Sequence, residues 1–190
     1  IGKRPEAGPR AIRSASVRAM SAEHLNMEQL EAGLEHVLAA PKDNGEVSLI
    51  CRRPETLERE LLEQAELTVE DGMAGDNWKA RSMAKGRLEI LRQLTLMNWR
   101  CISLIAPDES RRPLAGDQLY VDFDLSDANV PAGSFLRIGD AIIEVTEPPH
   151  TGCRKFVERF GMDAMKFGND ERGRAHNLRG VNARVIKPGR

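Results

Sequence analysis

The feature that most constrains this chain is a strict two-residue alternation over residues 118–125. Leu119, Val121, Phe123 and Leu125 alternate with Gln118, Tyr120, Asp122 and Asp124. Successive side chains of a β-strand point to opposite faces, so this run predicts a half-buried strand with Tyr120 on its polar side. Shorter runs repeat the signal. Val47, Leu49 and Cys51 point one way and Ser48 and Arg52 the other. Residues 101–105 read as a short buried strand. Residues 134–138 and 141–146 flank Gly139-Asp140, a pair suited to a tight turn or bulge. A last strand is expected at 178–186, with Val181, Ala183 and Val185 on one face. Many short strands separated by turns fit a barrel or a strongly bent sheet better than a layered βαβ fold.

Helical spacing is confined to three places. Met27, Leu30, Leu34, Val37 and Leu38 predict a helix over 21–40, stopped by Pro41. Leu57, Leu61, Leu62 and Ala65 predict a second over 55–66, entered through Pro54. Phe156, Val157, Phe160, Ala164 and Phe167 predict a third that starts near Cys153 and closes at Gly168, followed by a charged loop at 169–177. Residues 79–97 carry only a short stripe, Leu88, Leu91 and Leu94, compatible with strand or helix. Residues 1–20 hold five bases, one acid and no periodicity, and read as an extended arm. The expected fold is therefore mainly β with helices (α+β): an arm and a helix over 1–44, then a strand-rich domain over 45–190.

Charge and composition exclude some function classes. The net charge is -1 and aromatics make up 4% of the residues, which predicts no nucleic-acid partner and no membrane surface. No run approaches the ~20 apolar residues of a membrane span, and no apolar leader is visible. Three cysteines, Cys51, Cys101 and Cys153, cannot all pair in one chain, so a reducing cytoplasm is the expected compartment. Charge is unevenly spread. Residues 55–76 hold eight acids against Arg59 alone, whereas 150–190 hold ten Lys and Arg against four acids. The C-terminal third thus suits an anionic small molecule, although two solvated faces of opposite sign would give the same count. Neither a Gly-x-Gly-x-x-Gly run nor a phosphate-loop signature occurs, so a nucleotide cofactor has no support.

One stretch, His150-Thr151-Gly152-Cys153-Arg154-Lys155-Phe156, concentrates chemistry on a single atom. The thiolate is the nucleophile and the soft-metal ligand. A helix start at Cys153 offers unpaired N–H groups, Arg154 and Lys155 add charge, and His150 can add a charge or accept a proton. The competing reading is a buried structural cysteine, the common state of a free thiol. That reading dominates for Cys51 and Cys101, which sit in apolar runs without cations. Zinc is not expected: there is no Cys-x-x-Cys pair, and the only histidines are His24, His36, His150 and His176. A Cys153 dyad with His176 or His150 has no flanking signature. Arg179 opens the last strand and can reach an anion beside Cys153. Asn98, Arg100 and Asn129 stand at strand ends or in a loop, where pocket residues tend to lie, though ordinary turn and surface polarity accounts better for each one alone.

The chain resembles the MOSC domain, named for the C-terminal part of molybdenum cofactor sulfurases. The resemblance rests on Met97-Asn98-Trp99-Arg100, Gly116-Asp117-Gln118-Leu119, and Ile138-Gly139-Asp140-Ala141-Ile142-Ile143-Glu144-Val145. It continues through Gly152-Cys153-x-Lys155-Phe156 with Arg159-Phe160-Gly161, and Leu178-Arg179-Gly180-Val181-Asn182-Ala183-Arg184-Val185. It covers about residues 45–188. It implies a MOSC-like β-barrel, here with an N-terminal helical extension. It places the family's functional cysteine on Cys153, which carries a sulfane sulfur in the sulfurases and ligates molybdenum in related reductases of N-hydroxylated compounds. His150, Thr151, Arg154, Lys155, Arg179, Asn98 and Arg100 become the candidate cofactor-binding residues. The chain has no room for the sulfurases' pyridoxal phosphate desulfurase domain, so a sulfur donor would be a separate protein. Where the reductases carry an extra N-terminal β domain, residues 1–44 here read as an arm plus a helix.

Three functions follow as expectations. The first is a molybdenum-cofactor protein that binds the metal or cofactor, or carries sulfur to it, through Cys153. The second is a small molybdenum-dependent reductase working with a separate electron-transfer protein. The third is a non-catalytic binding module with a structural cysteine.

Overall fold

The computed structural model describes residues 10–12 and 24–190. The chain follows the order β1 (Arg10–Ile12), α1 (Met27–Ala32), α2 (Leu34–Leu38), β2 (Glu46–Arg52), β3 (Arg59–Leu62), β4 (Leu67–Thr68), β5 (Gly72–Met73), α3 (Trp78–Met83), β6 (Leu94–Asn98) and α4 (Trp99–Ile105). It continues through β7 (Leu119–Asp122), β8 (Phe135–Ile138), β9 (Ala141–Val145), α5 (Arg154–Asn169), α6 (Glu171–Ala175) and β10 (Val181–Lys187). Eight strands form one curled sheet in the order β1-β3-β2-β7-β6-β10-β9-β8. The result is the α+β, barrel-like architecture expected from the strand pattern. Every pairing within it is antiparallel except β6 with β7. Parallel neighbours need a crossover, and here α4 and a 3-10 segment (Glu109–Ala115) supply it.

Both faces of the central strands are covered. Leu94, Leu96, Leu119, Val121, Ile143, Val145, Val181 and Ala183 pack against one another on the inner face, with Leu67 and Met73 closing the cluster. On the other face Cys51, Met97 and Tyr120 meet Leu30, Leu34 and Val37 of α1 and α2, Cys101 and Ile102 of α4, and Phe156, Phe160 and Phe167 of α5. Tyr120 is therefore buried, and the half-buried strand expected at 118–125 is corrected to one buried on both sides. A parallel β6–β7 pair at the centre of a helix-covered sheet requires this.

Several local expectations change. The run at 101–105 lies in α4, not in a strand. The helix expected over 55–66 is a turn followed by β3, because β3 pairs with both β1 and β2 and that pairing overrides the helical spacing of its leucines. The helix over 21–40 is two short helices broken at Gly33, the first opened by a reciprocal Asn26–Gln29 capping box. Residue 168 lies inside α5; the left-handed glycine is Gly161, φ 88°, which interrupts the helix seven residues after its start. The charged loop at 169–177 contains α6. The hairpin β8–β9 turns at Gly139, φ 55°, as the sequence predicts. Apart from Arg10–Ile12, the arm lies outside the described residues up to 23.

Candidate functional site

Cys153 closes the connection from β9 to α5, and that connection is pinned on both sides. Asn182 Nδ2 donates to the Pro148 carbonyl at 2.8 Å, and Arg92 donates to that of Pro149 at 3.0 Å. Gly152 donates its N–H to Asn169 Oδ1 at 3.2 Å, and a Cβ there would run into the sulfur of Met165. Cys153 is the N-cap of α5, with φ -120° and ψ 175°. Its side chain makes no capping hydrogen bond, although its carbonyl accepts from Phe156 and Val157. The thiol is exposed, whereas Cys51 and Cys101 are buried and burial pushes both of those thiols up to about 12. Burial of the neutral thiol is the inert form of a cysteine.

The Cys153 thiol borders a cavity of about 420 Å³. Its lining carries Arg53, Arg59, Arg81, Lys85, Arg92, Lys155, Arg159 and Arg179 against Glu55 and Glu89. Of these, Arg53 is held by buried Asp76 at 2.8 Å and also donates to the Gly116 carbonyl. Burial, then the neighbouring cations Arg53 and Arg59, lower the proton affinity of Arg81; burial and Arg59 do the same to Arg159. Like charges crowded into a low-dielectric wall repel, and a bound anion relieves that repulsion. Three buried polar atoms on lining residues lack a hydrogen-bond partner: Asn77 Oδ1, Trp78 Nε1 and Arg179 Nε. Buried polar groups are rarely left without a partner.

Two of the lining residues, His150 and Arg179, share one buried partner. Asp117, fully buried, holds His150 Nε2 at 2.5 Å through one oxygen and Arg179 Nη1 at 2.8 Å through the other. Arg179 also donates to the Ala115 carbonyl and lies 4.8 Å over the Phe156 ring, so the first turn of α5 rests on it. Burial opposes ionisation of Asp117, but Arg179 and His150 outweigh it and hold the carboxyl well below the usual range. Burial, then Arg179, lower the proton affinity of His150 against the pull of Asp117. Gly180, φ 115°, lets the chain enter β10 under this ring; a Cβ would meet the Leu96 carbonyl and His150.

Of the residues singled out from sequence, His150, Thr151, Cys153, Lys155 and Arg179 line one cavity. Arg154 does not: its side chain is 92% exposed and pairs with Glu158. Asn98 and Arg100 lie at the start of α4, engaged in the fold. Asn98 accepts from the Cys101 N–H at 2.9 Å and donates to the Phe123 carbonyl at 2.8 Å. Arg100 makes a bidentate pair with Asp122 and donates to the Ala39 carbonyl beyond α2. Asn129 donates to the carbonyls of Lys42 and Asp124. His176 follows α6 and is not part of the cavity lining. Sequence reasoning missed Arg53, Arg59, Asn77, Trp78, Arg81, Asp117 and Arg159. Only Asp117 and Arg159 fell in the stretches that carry the resemblance. Among the described residues no group of three His, Cys, Asp or Glu side chains is placed to hold a metal. Nor is any helix there long and apolar enough to cross a membrane.

No family model matches the chain, and no curated protein matches it. Solved structures do. The YuaD protein from Bacillus subtilis aligns with TM-score 0.53 at 12% identity, over 76% of this chain and 89% of its own. A hypothetical protein aligns with TM-score 0.50 at 21% identity, over 74% of this chain and 59% of its own. YiiM from Escherichia coli aligns at 22% identity and TM-score 0.47, over 75% and 63%. The chain thus spans less than two thirds of the hypothetical protein and of YiiM. The alignments with YuaD and the hypothetical protein show a shared fold, and at these identities the fold alone.

Proposed function

We propose that this chain is a MOSC-like domain that engages the molybdenum cofactor through Cys153. The observation that carries the reading is an exposed thiol bordering a cavity whose lining holds eight Lys and Arg and two Glu. The quoted motifs and the fold shared with YuaD support it. The residues present fit such a group. Lys155, Arg81 and Arg159 suit a phosphate, and the unpartnered Asn77 Oδ1 and Trp78 Nε1 suit the polar edge of a heterocycle. A single soft thiolate, with no cluster of protein ligands among the described residues, suits a metal that brings most of its own donors. When bound, the cofactor would supply a redox-active metal centre that accepts sulfur or thiolate. Cys153 then has one of two tasks, ligand or sulfur carrier. As a carrier, its thiolate attacks the terminal sulfur of a persulfide on a separate donor protein. A new S–S bond forms on Cys153 and the donor leaves as its own thiolate.

Protein made in a cofactor-producing cell tests this by metal analysis and intact mass. Molybdenum bound in stoichiometric amount and lost in Cys153→Ala assigns the ligand role, and reduction of an N-hydroxylated compound by that protein would add the reductase activity. A mass gain of one sulfur on Cys153 without metal assigns the carrier role. Neither metal nor sulfur, with Cys153→Ala indistinguishable from wild type, overturns the proposal.

A further inference from the structure

We propose that the segment 81–92 is the docking face for an acidic protein that brings a persulfide to Cys153. The inference rests on the carrier role of Cys153 and names the kind of partner that role requires. The segment runs from the end of α3 into a 3-10 turn, Ile90–Arg92, and forms one bank of the Cys153 cavity. Its side chains divide into two sets. Arg81, Ser82, Lys85, Glu89 and Arg92 line the cavity. Met83, Leu88, Ile90 and Leu91 are instead 39–57% exposed. Exposed apolar side chains scattered singly are ordinary, but a run of them on the bank of a polar cavity marks a contact surface.

The face is held in shape. Ser82 Oγ donates to the Arg87 carbonyl at 3.0 Å and accepts from the Glu89 N–H at 2.5 Å, closing the loop between them. Arg92 donates to the Pro149 carbonyl at 3.0 Å, and Thr146 Oγ1 donates to the Leu91 carbonyl at 2.6 Å. These two bonds tie the face to the connection that ends on Cys153. A surface already ordered loses little entropy on binding, which favours a specific contact. Charge selects the occupant. The segment holds Arg81, Lys85, Arg87 and Arg92 against Glu89, and Glu89 engages both Lys85 and Arg87 at 3.3 Å. A net-positive border around apolar side chains fits a partner that sets acids around an apolar centre. A ligand small enough for the cavity leaves Met83, Leu88, Ile90 and Leu91 in water; covering them takes a protein surface. A carrier thiolate needs such a partner. It attacks the terminal sulfur of the partner's persulfide, the new S–S bond forms on Cys153, the partner's S–S bond breaks, and the partner departs as its thiolate.

Sulfur transfer to Cys153 in the full chain, read by intact mass, tests the face with two donors: a cysteine desulfurase supplied with cysteine, and glutathione persulfide. In the double variant Leu88→Ser/Ile90→Ser, transfer from the desulfurase should slow at least about tenfold. Transfer from glutathione persulfide should keep the wild-type rate, which shows the fold and the thiol intact. Arg87→Glu should slow the desulfurase reaction by a smaller factor that shrinks as salt is raised. Phe135→Ser, at an exposed apolar position on the edge strand β8, should change neither rate. Desulfurase transfer that is unchanged in the double variant, or absent in a wild type that glutathione persulfide loads, overturns the docking face and leaves the carrier role standing. Binding of the wild type to phosphatidylglycerol vesicles, abolished by the double substitution, would assign the face to a membrane and overturn it as well. Failure of both donors to load Cys153 overturns the carrier role, and the docking face with it.

Discussion

The starts of α4 and α5 look alike in sequence and differ in what their polar atoms do. Each helix follows a strand and opens on a polar residue with arginine close behind: Asn98 with Arg100, and Cys153 with Arg154. At α4 the cap, the strand end and the arginine are all consumed. Asn98 both accepts and donates, and Arg100 satisfies Asp122 and the end of α2. At α5 the cap residue gives no side-chain hydrogen bond, the thiol is open, and the wall around it keeps unpaired donors and acceptors. Residue type and position at a strand end therefore do not mark a site. Uncommitted hydrogen-bonding capacity beside a cavity does.

Substitutions at the two helix starts should separate them. The largest effect is expected beneath α5. Asp117→Ala strands Arg179 as an unpaired buried cation and should cost about 3–5 kcal/mol in urea unfolding. A smaller loss would mean that the network carries little of the fold. Next, Asn98→Ala removes the α4 cap and orphans the Phe123 carbonyl. About 2–3 kcal/mol should be lost, with the Cys153 alkylation rate of the folded protein unchanged. A changed rate would couple α4 to the cavity and undo the contrast. The smallest effect belongs to the open cap: Cys153→Ala should leave stability within about 0.5 kcal/mol, measured the same way. A loss of several kcal/mol there would restore the structural-cysteine reading.

What was legible in sequence follows the same division. The hairpin at Gly139 and the helix start at Cys153 were legible because local turn chemistry determines them. The α4 run Cys101-Ile102-Ser103-Leu104-Ile105 was not, because five apolar-rich residues fit a buried strand and a buried helix equally. The leucines of β3 carry helical spacing, and only pairing with β1 and β2 makes them a strand. Five of the candidate residues reached one cavity because four of them are sequence neighbours and Arg179 opens the adjoining strand. The cations opposite, Arg53, Arg59 and Arg81, come from the residue after β2, from β3 and from α3. Their convergence is a property of tertiary structure, and no local spacing encodes it.

The parallel pairing of β6 with β7 has a kinetic consequence. Asp117 lies at the entry to β7, and its partners His150 and Arg179 stand 33 and 62 residues further on. Contacts of that separation carry loop-closure entropy that is repaid only when the crossover through α4 and the pairing of β10 with β6 are both in register. The ion pair and the cavity wall should therefore be among the last parts of the molecule to form on refolding. Loss of labelling at Cys51 and Cys101, which folding buries, would follow closure of the helix-covered face, with Cys153, open throughout, as the internal reference.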